Sequence, residues 1–251
     1  MIFLLAGTKD GRELGEKILE KNYPLIMSVT SSYGKNLIKQ NENLIINDKP
    51  LNLEELTNYL KAKNVKILID ASHPYATEVS KNAMLAAEKI NISYIRYERE
   101  KTVVDYDKIY FAKDNDNAAK LASGFGKNIF FTTGSKTAKF FFEHKKLKDK
   151  RLVFRVLPDS KVLAELNAVG ISLEDIIAIK GPFTKELNAA LFSAYEANVI
   201  VTKDGGNIGG VDTKIEAAKA LNLPIVMIER PKLNYTNIAY SFDEVFRFIA
   251  R

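Results

Sequence analysis

The chain has 251 residues, 46% hydrophobic and 27% charged, enough for one large or two small domains with real cores. It has no cysteine and two histidines, His73 and His144, which excludes disulfides, thiolate nucleophiles and cysteine- or histidine-rich metal sites. Its net charge of +6 comes from lysines spread along the chain rather than gathered on one element among aromatics. No nucleic-acid partner is expected from that pattern, although the positive field favours an acidic small molecule.

The apolar run in MIFLLAGTKDG is far too short for a signal peptide or a membrane span, so no membrane partner is expected and the cytoplasm is the expected location. Ile2 to Leu5 reads as a strand, and Ala6-Gly7-Thr8 as the turn into a helix with Leu14, Ile18 and Leu19 on one face. This opening suggests the first unit of a nucleotide-binding sheet, though G-x-G-x-x-G is absent. Leu25 to Val29 is the second strand, ending at Ser28-Val29-Thr30-Ser31-Ser32-Tyr33-Gly34. Where a nicotinamide fold uses an acid for NAD or a cation for NADP, this end offers hydroxyls and then Lys35. Leu37 to Ile46 is expected as short irregular strands, and Leu53 to Leu60 as a helix capped by Asn52.

Ile67 to Ile69 is the next strand, running into Asp70-Ala71-Ser72-His73-Pro74-Tyr75-Ala76. Pro74 suits the first position of the following helix, which leaves His73 at a strand-to-helix lip. A strand at 92–97 places Arg96 and Arg99 at its end. Glu100 to Asp107 lacks periodicity and reads as a linker, giving domains of 1–99 and 100–251.

The alternation then restarts with a strand at 109–112, a helix from Asn115 and a strand at 129–132 ending in Thr132-Thr133-Gly134-Ser135. A helix over 136–144 carries Phe140 to Phe142, expected in the core. Arg155 stands inside the strand 152–156 and needs an acid or a ligand as partner. Ile176 to Ile179 is a further strand, followed by Lys180-Gly181-Pro182-Phe183 and a helix. Val199 to Thr202 is a buried strand, and after it stand Lys203, Asp204 and the glycines Gly205, Gly206, Gly209 and Gly210. The opposite charges of Lys203 and Asp204 are expected to hold each other. A helix capped by Asp212 or Thr213, a strand at 224–228 and a terminal helix at 242–249 complete the pattern.

These motifs resemble the precorrin-6A reductase family, in its cobalt-precorrin-6A form, over nearly the whole chain. The resemblance rests on Gly7-Thr8, the run from Asp70 to Ala76, Thr132-Thr133-Gly134, Arg155-Val156-Leu157-Pro158, Gly181-Pro182-Phe183, the Lys203 to Gly210 loop and Glu229-Arg230-Pro231. Two departures stand out: Ala6 where the family usually has a glycine, and Gly205 where it usually has serine.

The resemblance implies an α/β fold of two Rossmann-like, three-layer domains with mostly parallel sheets and a cleft between them. It implies reduction of one double bond of a tetrapyrrole by NADH or NADPH. It further implies that Gly7, Thr8, Ser28, Thr30, Ser31, Tyr33 and Gly34, in the first domain, approach the cofactor. The carboxylate-rich substrate would meet Tyr75, Arg96, Arg99, Thr133, Gly134, Arg155, Lys180, Gly209, Gly210 and Arg230, mainly in the second. Lys203, Asp204 and His73 are the candidates for catalysis. A non-catalytic nucleotide-binding module and a methyl transferase are the competing readings, and a monomer or a homodimer fits equally.

Overall fold

The structure, a computed structural model, describes residues 1–29, 38–99, 105–206 and 210–251. Two compact units emerge: Met1–Glu100 together with Lys232–Arg251, and Lys101–Pro231. In the first, β1 (Ile2–Leu5), α1 (Lys9–Glu20), β2 (Leu25–Ser28), β3 (Leu44–Asn47), α2 (Leu53–Ala62), β4 (Ile67–Asp70), α3 (Thr77–Lys89) and β5 (Ser93–Tyr97) follow in order. The second holds β6 (Ile109–Ala112), α4 (Asn115–Ala122), β7 (Asn128–Phe131), α5 (Ala138–Glu143), β8 (Arg151–Val156) and α6 (Ser160–Ala168). It continues with β9 (Ile176–Ala178), α7 (Lys185–Ala194), β10 (Val199–Lys203), α8 (Val211–Ala220) and β11 (Ile225–Ile228). The chain then returns to the first unit with β12 (Ile238–Ala239) and α9 (Phe242–Ile249).

Each sheet has six parallel strands, in the orders β12-β5-β4-β1-β2-β3 and β6-β11-β10-β7-β8-β9. Counted from the strand at which the order reverses, both follow the doubly wound 3-2-1-4-5-6 pattern. The sixth place is filled out of turn in both. β6 follows β5 in the chain yet pairs with β11, whereas β12 follows β11 yet pairs with β5.

Helices cover both faces of the first sheet. Leu14, Ile18 and Val245 bury against Leu4, Met27 and Ile69 on one face, while Leu56, Leu60, Ala83 and Ala86 bury against Phe3, Ile26 and Leu68 on the other. In the second sheet, successive residues of β7 point to opposite faces. Phe130 joins the cluster of Phe192, Ile215 and Ala218, while Phe131 packs on Phe141 and Phe154 at 4.5 and 4.9 Å between ring centres.

Several expectations need correction. Residues 232–251 belong with the first unit rather than the second, because β12 continues the first sheet and Val245 and Phe246 enter its core. Pro74 lies in a turn closed by the Ala76 N–H on the His73 carbonyl at 2.8 Å, and the helix begins three residues later at Thr77. Gly210, in the left-handed region at φ 65°, caps α8, so Asp212 and Thr213 lie inside the helix. Of Phe140 to Phe142 only Phe141 is buried, since one face of a short helix meets the sheet and Phe140 is 41% exposed. Leu37 lies outside the described residues, and the irregular segment after it yields one strand, β3.

Candidate active site

Ligands of doubly wound sheets bind at the carboxyl ends of the strands where the order reverses. In the first sheet that point lies between β1 and β4, and it is lined by Gly7-Thr8 and by Ala71-Ser72-His73. Thr8 fastens the two ends together. Its Oγ1 donates to the Ala71 carbonyl at 3.0 Å and accepts from the Gly11 N–H at 3.0 Å, which caps α1. A Cβ on Gly11 would lie 3.0 Å from that same carbonyl, so helix and strand approach closely there. Gly7 is exposed, and a Cβ on it would meet nothing within 4 Å. The open space at a capped helix N-terminus is what a phosphate-bearing ligand needs.

Asp10, in the first turn of α1, would repel such a phosphate. Arg99 counters it with an ion pair of 2.9 Å in which both side chains are nearly buried. Ser28, at the end of β2, accepts from Asn47 Nδ2 at 2.9 Å. Thr30, Ser31, Tyr33 and Gly34 lie outside the described residues. His73 is exposed; its Nδ1 accepts from the Tyr75 N–H at 3.3 Å, which leaves the proton of a neutral ring on Nε2. Its ring sits 5.7 Å from that of Tyr75.

Arg96 is 1% exposed. Its Nη1 donates to Asp70 Oδ1 at 2.9 Å and to Ser72 Oγ at 3.0 Å, its Nε donates to Glu98 at 2.9 Å, and its guanidinium lies 5.5 Å from the Tyr235 ring centre. Burial works against its charge, but Asp70 and Glu98 outweigh burial and push its pKa above the usual arginine value. Tyr94 donates to the other Asp70 oxygen at 3.1 Å, and burial, reinforced by Asp70, drives its pKa far upward. The network pins the carboxyl ends of β4 and β5 beneath the His73 lip.

In the second sheet the order reverses between β7 and β10. Thr133 and Gly134 follow β7, Lys203 ends β10 and Asp204 comes directly after it. Lys203 Nζ donates to the Thr133 carbonyl at 3.0 Å, bridging the two strand ends. Burial, with Lys136 adding to it, lowers the Lys203 pKa. Gly134 adopts φ 80° and ψ 176°, a region open in practice to glycine alone. Asp204 is held by an arginine and a backbone amide. Arg230 Nε reaches its carboxylate at 3.2 Å, and the Gly206 N–H also donates to it, at 3.3 Å.

Lys180 is exposed after β9, Gly210 caps α8, and Gly209 lies outside the described residues. Arg155 is 6% exposed: its Nη1 donates to Asn188 Oδ1 at 2.7 Å and its guanidinium stacks 3.9 Å from the Phe183 ring centre. Burial lowers its pKa to about 10. Lys214 of α8 is 8% exposed, and burial, with Arg155 adding to it and Asp212 opposing, pushes it down to about 7. Sequence reasoning missed both Asn188 and Lys214. The signal for Lys214 was a charge on the apolar stripe it shares with Ala217, Ala218 and Leu221. Among the described residues no group of three or more His, Cys, Asp or Glu side chains could hold a metal. No described helix is long and apolar enough to cross a membrane.

The profile of the precorrin-6x reductase CbiJ/CobK family matches residues 1–250. The chain belongs to that family. It is 40% identical over 246 residues to a protein of Priestia megaterium named cobalt-precorrin-6A reductase, covering 98% of this chain and 96% of that one. A Methanocaldococcus jannaschii protein of the same name is 36% identical over 257 residues, covering 99% and 98%. The solved structure of CobK precorrin-6A reductase shares the fold, with a TM-score of 0.80 at 21% identity, covering 99% of this chain and 95% of that one.

Proposed function

We propose that this protein is a cobalt-precorrin-6A reductase, which uses a reduced nicotinamide to saturate one double bond of the macrocycle in corrin-ring synthesis. The observation that carries the reading is the full-length family match, joined to two doubly wound sheets whose reversal points coincide with the motifs. A methyl transferase and a non-catalytic nucleotide-binding module share the sheet order but not the match.

The residues of the first unit fit a nicotinamide cofactor: the open face of Gly7, the Thr8-capped α1 and the Asp10 charge neutralised by Arg99. When bound, the nicotinamide supplies a hydride to one carbon of the double bond, and a proton reaches its neighbour. The second unit is the reading's place for the tetrapyrrole. Lys203 stands at the reversal point, where burial lowers its pKa, and its amine is placed to meet a substrate carboxylate. Asp204 and Arg230 act as positioning residues for the glycine loop, and Gly134 leaves its side of the site open. Arg96, committed to Asp70 and Glu98, is a positioning residue for the His73 lip rather than a substrate contact. The reading carries a cytoplasmic monomer or homodimer, with neither nucleic acid nor membrane as partner.

Anaerobic incubation with cobalt-precorrin-6A and NADH or NADPH tests it. The expected result is loss of nicotinamide absorbance and a product two mass units heavier. Nicotinamide binding without change of the macrocycle would favour the non-catalytic reading.

A further inference from the structure

β10, β7 and β8 are neighbours in the second sheet, and their registers fix which residues stand level at the carboxyl ends. Val201 is level with Phe131, and Phe131 with Phe154. Two residues on, Lys203 comes level with Thr133, in keeping with its 3.0 Å bond to the Thr133 carbonyl. Three residues on, Gly134 comes level with Leu157. Adjacent strands lie about 4.8 Å apart, so Lys203, Gly134 and Leu157 stand along one lip at the reversal point.

Gly134 leaves open space in the middle of that lip, since a Cβ there would meet nothing within 4 Å. On one side the charge is positive. Lys136 is exposed in the single turn Ser135–Thr137, which is tied back to the strand end by Thr137 Oγ1 donating to Thr133 Oγ1 at 2.9 Å. Its ammonium is close enough to Lys203 to add to burial in lowering the Lys203 pKa. Two like charges held near one gap repel, and an anion between them relieves the repulsion. The acid next to Lys203 in the chain, Asp204, is engaged by Arg230 at 3.2 Å.

On the other side the lip is apolar. Leu157 is 63% exposed, directly after the buried run Leu152 to Val156. An exposed leucine means little by itself, but this one stands at the ligand-binding end of the sheet, level with the open glycine. Cations on one side and an apolar side chain on the other match a macrocycle with a carboxylate periphery better than a phosphate. We propose that Lys136 and Leu157 complete the tetrapyrrole site on either side of Gly134, Lys136 joining Lys203 on a peripheral carboxylate and Leu157 lying against the macrocycle. The proposal rests on the reading that the second unit takes the tetrapyrrole, and it adds two residues to that site.

Lys136→Gln, Lys136→Arg and Leu157→Ser are compared with wild type and with Lys203→Ala. The quantities read are the KM of cobalt-precorrin-6A and the Kd of the reduced nicotinamide, with folding checked by Tm. Lys136→Gln should raise the tetrapyrrole KM about tenfold, the scale of one charge-assisted contact, and Lys136→Arg should restore it. Leu157→Ser should raise it about tenfold through lost apolar burial. Added salt should raise the wild-type KM more than that of Lys136→Gln, because screening weakens a contact the variant lacks. Nicotinamide Kd should stay within about twofold throughout.

An unchanged tetrapyrrole KM in Lys136→Gln or in Leu157→Ser, with the Tm of the parent, overturns the proposal. A raised nicotinamide Kd with an unchanged KM also overturns it and gives the lip to the cofactor. Lys203→Ala then tells which statement has failed. If it still raises the tetrapyrrole KM, the second unit keeps its role and only the two added contacts fall. If it moves only the nicotinamide Kd, the assignment of the second unit itself fails.

Discussion

Arg230, two residues past β11, donates from Nε to the Asp204 backbone carbonyl at 3.1 Å and to the Asp204 carboxylate at 3.2 Å. The pair clamps the start of the glycine loop to the neighbouring strand, and both side chains are largely buried. Arg230→Ala removes the arginine from that carboxylate and should cost about 1.5–3 kcal/mol of stability, the scale of a charge-assisted hydrogen bond. A positioning role adds a kinetic signature: the tetrapyrrole KM rises and the nicotinamide Kd does not. Denaturant unfolding and steady-state kinetics check the two parts, and an unchanged KM in a folded variant contradicts the role.

Gly7→Val should fold like the parent, because a Cβ there meets nothing within 4 Å. Its branched side chain would fill the space at the N-terminus of α1, and nicotinamide binding should weaken by more than about tenfold, or roughly 1.4 kcal/mol. Fluorescence titration with NADPH gives the answer. An unchanged Kd with an unchanged Tm would move the cofactor away from the first unit.

The repeat of the doubly wound pattern was legible in the sequence because buried parallel strands read as short apolar runs ending in glycine, hydroxyl or charged residues. The switch-point motifs Gly7-Thr8, Thr133-Gly134 and Lys203-Asp204 stood out for the same reason. The return of residues 232–251 to the first sheet was not legible, since β12 has two residues and carries no period. Nor were the partners of the charges. Asp204 sits next to Lys203 in the chain, yet its arginine comes from the next strand, and Arg155 finds Asn188 thirty-three positions away. Pro74 misled because a proline suits a tight turn as well as a first helical position.

Arg96→Met is the severe change in the first unit. It leaves Asp70, fully buried, without its cation, and breaking a buried pair by removing one partner costs about 3–5 kcal/mol. Urea unfolding should show this loss. A cost below about 1 kcal/mol would mean that the Tyr94 and Ser72 contacts alone satisfy the carboxylate.

Lys214 links stability to pH. Its folded pKa, about 7, lies below the ordinary lysine value of 10.5, so the unfolded chain holds a proton that the folded chain lacks between those values. Stability from this residue therefore rises with pH across that window, and its cost is fully present below pH 7. Lys214→Met should raise stability by about 1–4 kcal/mol at pH 6–7, and the gain should fade towards pH 10. A gain that is independent of pH would show that Lys214 keeps its charge in the folded protein.

Transfer of isotope from cofactor to macrocycle tests the central claim most directly. The two C4-deuterated isotopomers of NADPH, or of NADH if that is the cofactor used, are each incubated anaerobically with cobalt-precorrin-6A in ordinary water. With direct hydride transfer, one isotopomer yields a product three mass units heavier than the substrate, by one deuteride and one solvent proton, and the other yields a product two units heavier. Equal masses from both, with the deuterium retained on the nicotinamide or lost to water, would contradict direct hydride transfer to the tetrapyrrole.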